Sequence, residues 1–404
     1  MSCWVRKPVI TIEGKFLEGG PTTQVVVEDG IVCAMETARE RFGAADFADC
    51  LILPPLFDPQ VNGGLGVSFT SPLEPERYDQ VLQECWRRGI SHILPTIITT
   101  DAGNLTRCLR ALRVWRDGNI DVARAVPGFH LEGPGINPEE GFRGAHPQNG
   151  VRAWTEQEYR QVQEAAGGMV RKVTLAPETL GDLGVVRSMV RDGVLVSMGH
   201  TNAYAEQISR AVDAGVSLFT HWGNGISRKI DRHHNPLWPA LVEDKLNLSL
   251  IADGLHLPVA MLQTAYLCKG PEKLVLTADT SPLAGFNPGV YDLWGSRVVV
   301  DENQKLTVVG TDYLAGSGSW LDKCFQTAFH LTGKAIGACS QMASGNIRRL
   351  LDLPPWELSP GKPAELTLVS PHRPELLLGC FGSGQFVPYL HDIDKRTDQG
   401  ATRY

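Results

Sequence analysis

Eight apolar, β-rich runs alternate with helix-period segments between residues 51 and 279. Strands and helices that alternate in this way build a parallel sheet, because each return to the same sheet edge needs a crossover that a helix supplies. Eight such units predict a (β/α)8 TIM-type barrel, an α/β fold. The predicted strands are Leu51–Phe57, His92–Ile98, Ala125–Glu132, Arg171–Pro177, Val194–His200, Val216–His221, Leu246–Asp253 and Lys273–Asp279.

Helical periodicity between these runs mostly stops beside a glycine, which is a frequent C-terminal signal. Beyond the eighth strand, a Gly/Pro-rich segment at 282–295 precedes a predicted hairpin and two closing helices. The predicted helices are Glu74–Arg88, Leu105–Arg116, Thr155–Ala166, Ala205–Ala214, Ser319–Leu331 and Lys334–Leu351, and the hairpin covers Val298–Val309.

Both ends of the chain carry short strand signals. Near the start, Val25–Val27 and Ile31–Cys33 flank a turn at Glu28-Asp29-Gly30, and near the end lie Ala364–Val369 and Glu375–Leu378. Each set is too short to form a core alone, so we expect the two to pair. The sequence predicts a small β-sandwich domain from residues 1–50 and 359–404 beside a barrel of residues 51–358.

Composition excludes several classes of partner. The formal net charge of -7 over 404 residues lacks the basic footprint of a nucleic-acid or anionic-membrane surface. No apolar run approaches the ~18 residues that span a bilayer, and no signal-peptide h-region follows Met1–Lys7. The nine cysteines are scattered without a C-x-x-C pair, which argues against a disulfide framework. We expect a cytoplasmic protein.

Three predicted strands end in residues of metal-ligand type. Glu132, His200 and His221 close strands three, five and six, and the C-terminal ends of barrel strands meet at one mouth. Each residue alone would suit a turn or a core histidine, but together they match an open catalytic zinc site. Fe²⁺, Mn²⁺ and Co²⁺ accept the same ligands. The pattern indicates a metal-dependent hydrolase.

Two further residues suit the chemistry of such a hydrolase. Asp279, at the end of strand eight, could take a proton from the attacking water and return it to a leaving amine. His256, just after strand seven, could polarise a substrate carbonyl by donating a hydrogen bond. A turn aspartate and a loop histidine are the structural alternatives.

Six motifs follow one another between residues 130 and 317. In content and order they resemble N-acetylglucosamine-6-phosphate deacetylases of the amidohydrolase superfamily, and the chain is identified from them as a divergent member. The motifs are His130–Pro134, Arg143–Pro147, Val173–Glu178, Gly199–Thr201, Ile251–His256 and Leu314–Ser317.

The resemblance implies a reaction and a site. A hydroxide on the metal held by Glu132, His200 and His221 would hydrolyse the acetamide, with Asp279 as general base and acid. The Asp58–Gly64 segment lacks the superfamily's His-x-His pair, which implies one divalent ion per chain, Zn²⁺ by preference. Family members pair through loops at the barrel mouth, so a homodimer is expected. The implied substrate contacts are Ala145, His146, Asn224, Gly225, Arg232, His256, Leu314, Ala315 and Gly316.

The loop after strand six departs from the family pattern. The family reads Thr-His-Leu-Phe-Asn-Ala-Met where this chain reads Thr-His-Trp-Gly-Asn-Gly-Ile at Thr220–Ile226. Counting from His221 puts Arg232 at the family's phosphate-binding arginine, whereas counting from Asn235-Pro236 puts His234 there. An arginine side chain can bind phosphate through two parallel hydrogen bonds, whereas a histidine side chain cannot. A solvated loop is the structural alternative for these basic residues.

Three functions remain open on this evidence. The first is deacetylation of N-acetylglucosamine 6-phosphate. The second is hydrolysis of another N-acyl amino sugar or amide without the phosphate, which the altered loop favours. The third is a catalytically silent sugar-binding relative. Retention of Asp279 with all three ligand residues argues against the third.

Overall fold

The computed structural model describes residues 9–17, 19–37, 45–382 and 384–389. The N-terminal segment Met1–Lys7 and the ends of the predicted small domain therefore lie outside the described residues. The first four strands pair antiparallel from β1 through β2 to β3, while β4 lies parallel to β1. They are β1 (Ile10–Phe16), β2 (Thr23–Glu28), β3 (Ile31–Thr37) and β4 (Phe47–Leu53).

Eight parallel strands follow and form the barrel in the order β5-β8-β9-β10-β11-β12-β13-β14, with a short hairpin of β6 and β7 after the first. The ring closes where Val61 bridges Thr280 and the Asn62 backbone N–H donates to Thr280 O at 2.8 Å. The predicted fold class is confirmed. The strands are β5 (Leu56–Val61), β6 (Gly63–Gly64), β7 (Val67–Ser68), β8 (Ile90–Ile98), β9 (Phe129–Glu132), β10 (Val170–Leu175), β11 (Leu195–Met198), β12 (Leu218–Phe219), β13 (Asn247–Ile251) and β14 (Leu274–Thr277).

The first barrel strand differs from the sequence prediction. The apolar run Leu51–Phe57 is two strands, because β4 ends at Leu53 in the small sheet and β5 begins at Leu56 in the barrel. Pro54 and Pro55 separate the two strands. Proline has no backbone N–H to donate to a sheet, so the ladder stops there although the hydrophobicity continues. The predicted domain boundary after residue 50 falls inside β4, and the domain limits remain a prediction.

Helices cover the outside of the barrel. Thr155 caps one of them by accepting from the Glu158 backbone N–H at 3.1 Å, and Gly167 ends it with φ +65°. The predicted helix Lys334–Leu351 is interrupted by a π-helical turn at Gln341–Gly345. The helices are α1 (Pro75–Arg87), α2 (Ala102–Asp117), α3 (Ile120–Ala125), α4 (Glu156–Ala166), α5 (Gly184–Arg191), α6 (Ala205–Asp213), α7 (Leu237–Val242), α8 (Val259–Lys269), α9 (Leu321–Leu331), α10 (Ile336–Ser340) and α11 (Asn346–Leu350).

The predicted hairpin after the barrel is a three-stranded antiparallel sheet. Its first strand, β15 (Gly289–Leu293), lies in the Gly/Pro-rich segment where no strand was expected, and it pairs with β16 (Ser296–Val300). The third strand, β17 (Leu306–Val308), pairs with β16 on the other side. The sheet stands beside the barrel mouth, since Trp294 and Leu314 line the cleft described below.

The C-terminal strands complete the small sheet begun by β1–β4. β18 (Thr367–Val369) pairs with β4, and β19 (Leu377–Gly382) and β20 (Gln385–Pro388) extend it, in the order β20-β19-β18-β4-β1-β2-β3. The two chain ends thus share one sheet, as predicted. Across the described ranges, no helix has both the length and the apolar content needed to cross a bilayer.

Candidate metal centre and catalytic cleft

Three side chains at the mouth of the barrel form a compact buried cluster. Glu132 is the last residue of β9, while His200 and His221 each follow a barrel strand by two residues. Oε1 of Glu132 lies 2.8 Å from Nε2 of His221 and 3.4 Å from Nε2 of His200. One ligand atom from each residue lies within 4.8 Å of the others. The structure therefore brings together the three predicted ligands.

The backbone marks the same positions independently. His200, His221 and Asp279 adopt left-handed conformations with φ of +49°, +33° and +57°. Such conformations cost a non-glycine residue on the order of 1–3 kcal/mol and cluster at functional sites. Each of the three follows a barrel strand by two residues, where fixed packing can hold the strained residue in place.

The two imidazoles are prepared for ligation to different degrees. Nδ1–H of His200 donates to the Phe142 carbonyl at 2.8 Å, so Nε2 is the ring nitrogen that faces Glu132 and could bind a metal. Gly225 packs on this ring, where a Cβ would lie 2.9 Å from Nδ1 of His200 and where φ is +61°. Nδ1 of His221 is buried and has no hydrogen-bond partner among the described residues.

The donor set fits a divalent metal. Burial raises the pKa of Glu132, but hydrogen bonds from His146, His200 and His221 outweigh it and hold the pKa well below its ordinary value. An ionised carboxylate and neutral imidazoles are the forms that bind a metal. One carboxylate with two histidines, all buried, matches the ligand types of catalytic zinc.

Asp279 lies beside the cluster and shares a donor with it. The Gln60 side chain donates from Nε2 to Oδ1 of Asp279 at 2.8 Å and to Oε1 of Glu132 at 2.9 Å. Asn62 donates from Nδ2 to the same oxygen of Asp279 at 2.7 Å. Burial, followed by the charge of Glu132, raises the pKa of Asp279, and the Asn62 hydrogen bond acts in the opposite direction.

His146 lies closer to the cluster than the sequence suggested. Its Nε2 is 3.5 Å from Oε2 of Glu132, and its ring centroid is 4.4 Å from that of His200. Its Nδ1 accepts from the Thr99 backbone N–H at 3.4 Å and lies 2.9 Å from the Thr99 hydroxyl, so this nitrogen faces Thr99 while Nε2 faces Glu132. Burial, followed by the charge of His200, lowers the pKa of His146 to about 4.

His256 lines the cleft, and Asp253 holds its ring through Nδ1. Its Nδ1 is 2.8 Å from Oδ2 of Asp253, and its Nε2 is buried without a hydrogen-bond partner among the described residues. Nδ2 of Asn224 is likewise unpartnered in the described chain and belongs to the same cleft. Unsatisfied buried polar atoms are costly in a native structure, so these two atoms are candidates for substrate contacts.

The cluster opens into a cleft of about 250 Å³ at the C-terminal end of the barrel. Its wall combines the predicted residues with others from the loops around the mouth. The predicted site residues on the wall are Glu132, Ala145, His146, His200, His221, Asn224, Gly225, His256, Asp279, Leu314 and Gly316.

Two predicted contacts lie away from this wall. Ala315 is fully buried and packs with Leu306 and the other apolar residues under the three-stranded sheet. Arg232 is exposed, and its carbonyl accepts from the Trp238 indole at 2.9 Å. His234, the alternative to Arg232, is also exposed.

Another arginine of the same loop does reach the cleft. Arg228 lies on the wall and donates from Nη1 to Oδ2 of Asp312 at 2.9 Å.

Several site residues were not assigned a role from sequence. Gln60 and Asn62 belong to the Asp58–Gly64 segment, whose lack of a His-x-His pair was used to count metals but not to find these contacts. Asp253 precedes His256 by three residues, a spacing that suits a local hydrogen bond. Trp294 lines the cleft from the three-stranded sheet, and nothing in the sequence pointed to it.

The barrel, the Glu-His-His cluster at its C-terminal end and the adjacent carboxylate define a metal-dependent hydrolase of the amidohydrolase superfamily. The chain is 31% identical over 320 residues to the N-acetylglucosamine-6-phosphate deacetylase of Bos taurus, covering 76% of each protein. It is 30% identical over 347 residues to the N-acetylgalactosamine-6-phosphate deacetylase of Escherichia coli O157:H7, covering 85% of this chain and 89% of that protein. The chain belongs to the N-acetylglucosamine-6-phosphate deacetylase family.

The solved structures agree with this assignment. An N-acetyl-D-glucosamine-6-phosphate deacetylase mutant from Mycobacterium smegmatis, in complex with N-acetyl-D-glucosamine-6-phosphate, superposes with a TM-score of 0.83 at 26% identity. The superposition covers 95% of this chain and all of that one. A comparison with models of known protein families gives no match.

Proposed function

We propose that this protein hydrolyses the acetamide of N-acetylglucosamine 6-phosphate to glucosamine 6-phosphate and acetate. The observation that carries the proposal is the buried Glu132, His200 and His221 cluster with Asp279 beside it, at the base of an open cleft. Membership of the deacetylase family supports the sugar phosphate as the substrate.

We propose one Zn²⁺ per chain, held by Glu132, His200 and His221. When bound by ligands of this type, zinc lowers the pKa of a coordinated water towards ~7 and polarises a carbonyl. Gln60 and Asn62 support a single ion, because their amides stand in place of a second histidine pair and already donate to the carboxylates.

Asp279 is proposed as the proton acceptor and donor. Its buried Oδ1 is fixed by two amide donors, so its position is set before the substrate binds. The carboxylate would take a proton from the attacking water and deliver it to the amine nitrogen as the C–N bond breaks. Burial suits this exchange, because it raises the pKa of Asp279 towards the range where the group can both take and return a proton.

His146 is the better placed of the two histidines to polarise the acetamide carbonyl. Its Nε2 lies 3.5 Å from Oε2 of Glu132, next to the ligand cluster, and with a proton on this nitrogen the ring would donate to the carbonyl oxygen. The sequence reading gave this role to His256, whose ring is held from Nδ1 by Asp253. We therefore propose that His256 binds the sugar, together with Asn224.

Arg228 is the proposed partner of the phosphate. Both arginines are exposed, with the Arg228 side chain at 81%, but Arg228 lies on the cleft wall and Arg232 does not. An arginine fork suits a phosphate dianion, but Arg228 is paired with Asp312 at 2.9 Å in the unliganded chain. Phosphate binding would exchange one anionic partner for another.

A substrate panel tests the function. Purified zinc-loaded protein is assayed for equimolar release of acetate and free amine from the 6-phosphates of N-acetylglucosamine and N-acetylgalactosamine and from both unphosphorylated sugars. We expect the highest kcat/KM with N-acetylglucosamine 6-phosphate and loss of activity on chelation. Equal kcat/KM with and without phosphate would contradict the phosphate assignment, and preference for the galactose epimer would replace the proposed substrate.

We also propose a homodimer. Large apolar side chains are exposed on two neighbouring helices, with Val242 and Trp238 on α7 at 78% and 51% and Leu267 on α8 at 83%. Exposed apolar patches of this kind often mark protein interfaces. Light scattering at micromolar concentration should report a dimer, and Leu267→Asp should weaken it. A wild-type protein that is only monomeric would refute this.

The cytoplasm is the proposed compartment. The eight cysteines within the described ranges are all free, which suits a reducing environment. Fractionation of cells that express the tagged chain should recover it with cytoplasmic markers, and recovery elsewhere would contradict the assignment.

A further inference from the structure

The buried carboxylate of Asp253 contacts His256 and accepts four hydrogen bonds. Its Oδ1 accepts the backbone N–H groups of Leu255 at 2.8 Å and His256 at 2.9 Å. Its Oδ2 accepts Nδ1–H of His256 at 2.8 Å and the hydroxyl of Ser317 at 2.9 Å. The side chain has no exposed surface.

The carboxylate is ionised, which fixes the direction of these bonds. Burial raises the pKa of Asp253, but the hydrogen bond and charge of His256 and two backbone N–H groups lower it to about 2. An ionised carboxylate can only accept hydrogen bonds. Nδ1 of His256 must therefore carry a proton, and in the neutral ring Nε2 is left as an acceptor.

That acceptor belongs to a residue of the cleft wall. His256 lines the cleft, and its Nε2 has no hydrogen-bond partner within the described part of the chain. The hydroxyl groups of an amino sugar are hydrogen-bond donors. An imidazole locked with its proton on Nδ1 is thus prepared to receive a sugar hydroxyl, whereas the other tautomer would present a second donor.

Ser317 connects this arrangement to Asp279. While its hydroxyl donates to Asp253, its backbone N–H donates to the Asp279 carbonyl at 2.9 Å. The Ser281 backbone N–H in turn donates to the Ser317 carbonyl at 2.8 Å. The segment that holds the carboxylate behind His256 therefore also holds the strained turn that carries Asp279.

We propose that Asp253 is a positioning residue that fixes the tautomer and orientation of His256 for substrate binding, with Ser317 tying it to the Asp279 turn. This inference rests on the proposed function for its kinetic consequences. Its structural part, the tautomer of His256, can be measured without any substrate.

The sharpest test is Asp253→Asn. The asparagine oxygen can still accept the two backbone N–H groups, while its amide nitrogen faces Nδ1 of His256 and the Ser317 hydroxyl. Nδ1 of His256 and the Ser317 hydroxyl oxygen can both accept from this amide, so every hydrogen bond to residue 253 is kept. Since Nδ1 then accepts, the ring proton moves to Nε2. The substitution changes the tautomer with little change in packing. Unchanged circular dichroism and one metal per chain would establish that the variant is folded.

Histidine ¹⁵N NMR at a pH where the ring is neutral reads the tautomer directly. We expect an Nδ1–H ring at His256 in the wild type and an Nε2–H ring in Asp253→Asn. Ser317→Ala is the matched control, because it removes one bond to Asp253 and should keep the Nδ1–H ring. An Nε2–H ring in the wild type, or an unchanged ring in Asp253→Asn, would overturn the proposal.

Kinetics separate positioning from a general structural role. Asp253→Asn should lower kcat/KM by about 10–100-fold, the range found for hydrogen-bond partners that orient metal-binding histidines. In a His256→Gln background the same change should cost no more than about twofold, since no imidazole remains to be oriented. An equal loss in both backgrounds would show that Asp253 acts through the fold. Absence of deacetylation by the wild type would refute the proposed function while leaving the NMR result to decide the tautomer.

Discussion

Asn62 donates a hydrogen bond from Nδ2 to Oδ1 of Asp279 at 2.7 Å, although the two residues lie at opposite ends of the barrel sequence. This donor favours the ionised carboxylate and opposes the rise in pKa that burial causes. The Asn62 amide therefore lowers the pKa of the neighbouring carboxyl group.

The first prediction concerns pH. Asp279 must be ionised to accept a proton, so activity rises as pH increases through its pKa. Asn62→Leu removes the donor, which raises that pKa further and moves the acid limb of the kcat/KM profile to higher pH. We expect a shift of about one to two pH units, since a hydrogen bond to a charged group contributes about 1.5–3 kcal/mol. A limb that stays in place or moves to lower pH would contradict this role.

Asp279→Asn should separate chemistry from metal binding. The variant keeps the size of the side chain but cannot accept the proton, so turnover should fall by roughly 10²–10⁴-fold. Metal content, measured by elemental analysis, should stay near that of the wild type, because Asp279 is outside the ligand cluster. Near-normal turnover would remove Asp279 from the mechanism.

Metal stoichiometry distinguishes ligands from neighbours. Elemental analysis should give one divalent ion per wild-type chain and a large loss in Glu132→Gln. His146→Gln is the matched control, because His146 contacts Glu132 without belonging to the cluster and the variant should retain its metal. Removal of the ion should also lower Tm, since only the folded chain assembles the three ligands. Two tightly held ions per chain would exclude the single-metal proposal.

Two arginine variants test the phosphate contact. Arg228→Ala should raise KM for N-acetylglucosamine 6-phosphate with little change in kcat, as expected when binding common to ground and transition states is lost. The unphosphorylated sugar should be hardly affected. Arg232→Ala provides the control from the same loop and should leave both substrates unchanged. The reverse result would restore Arg232 to the role that the sequence gave it.

Lys172 predicts a pH dependence of stability. Its side chain is fully buried in the barrel, and Nζ has no hydrogen-bond partner among the described residues. Burial lowers its pKa from 10.5 to about 8. Because the unfolded chain then binds more protons between these two values, this group makes stability rise with pH from about 8 to 10.5.

Lys172→Met removes that dependence. At pH 7 the variant should have a larger free energy of unfolding than the wild type, by an amount on the order of 3 kcal/mol. The difference should shrink towards pH 10.5. Urea unfolding of both proteins after metal removal measures it. A less stable variant at pH 7 would show that the buried ammonium makes a favourable interaction.

The sequence alone was sufficient to predict the barrel architecture and the cluster of three ligand residues. Parallel strands of a barrel end at one mouth, so Glu132, His200 and His221 could be brought together from their positions at the ends of apolar runs. The same logic placed Asp279 nearby. The prediction of one barrel strand at Leu51–Phe57 was wrong, because hydrophobicity continues through Pro54 and Pro55 while the hydrogen-bond ladder stops there.

Only the tertiary structure decided which side chains surround that cluster. Gln60 and Asn62 reach Asp279 across more than two hundred residues of chain, and no local pattern encodes such a contact. Arg228 reaches the cleft and Arg232 does not, because the course of the loop depends on packing against its neighbours. Periodicity determines which element a residue belongs to, whereas contacts between elements depend on how the whole chain packs.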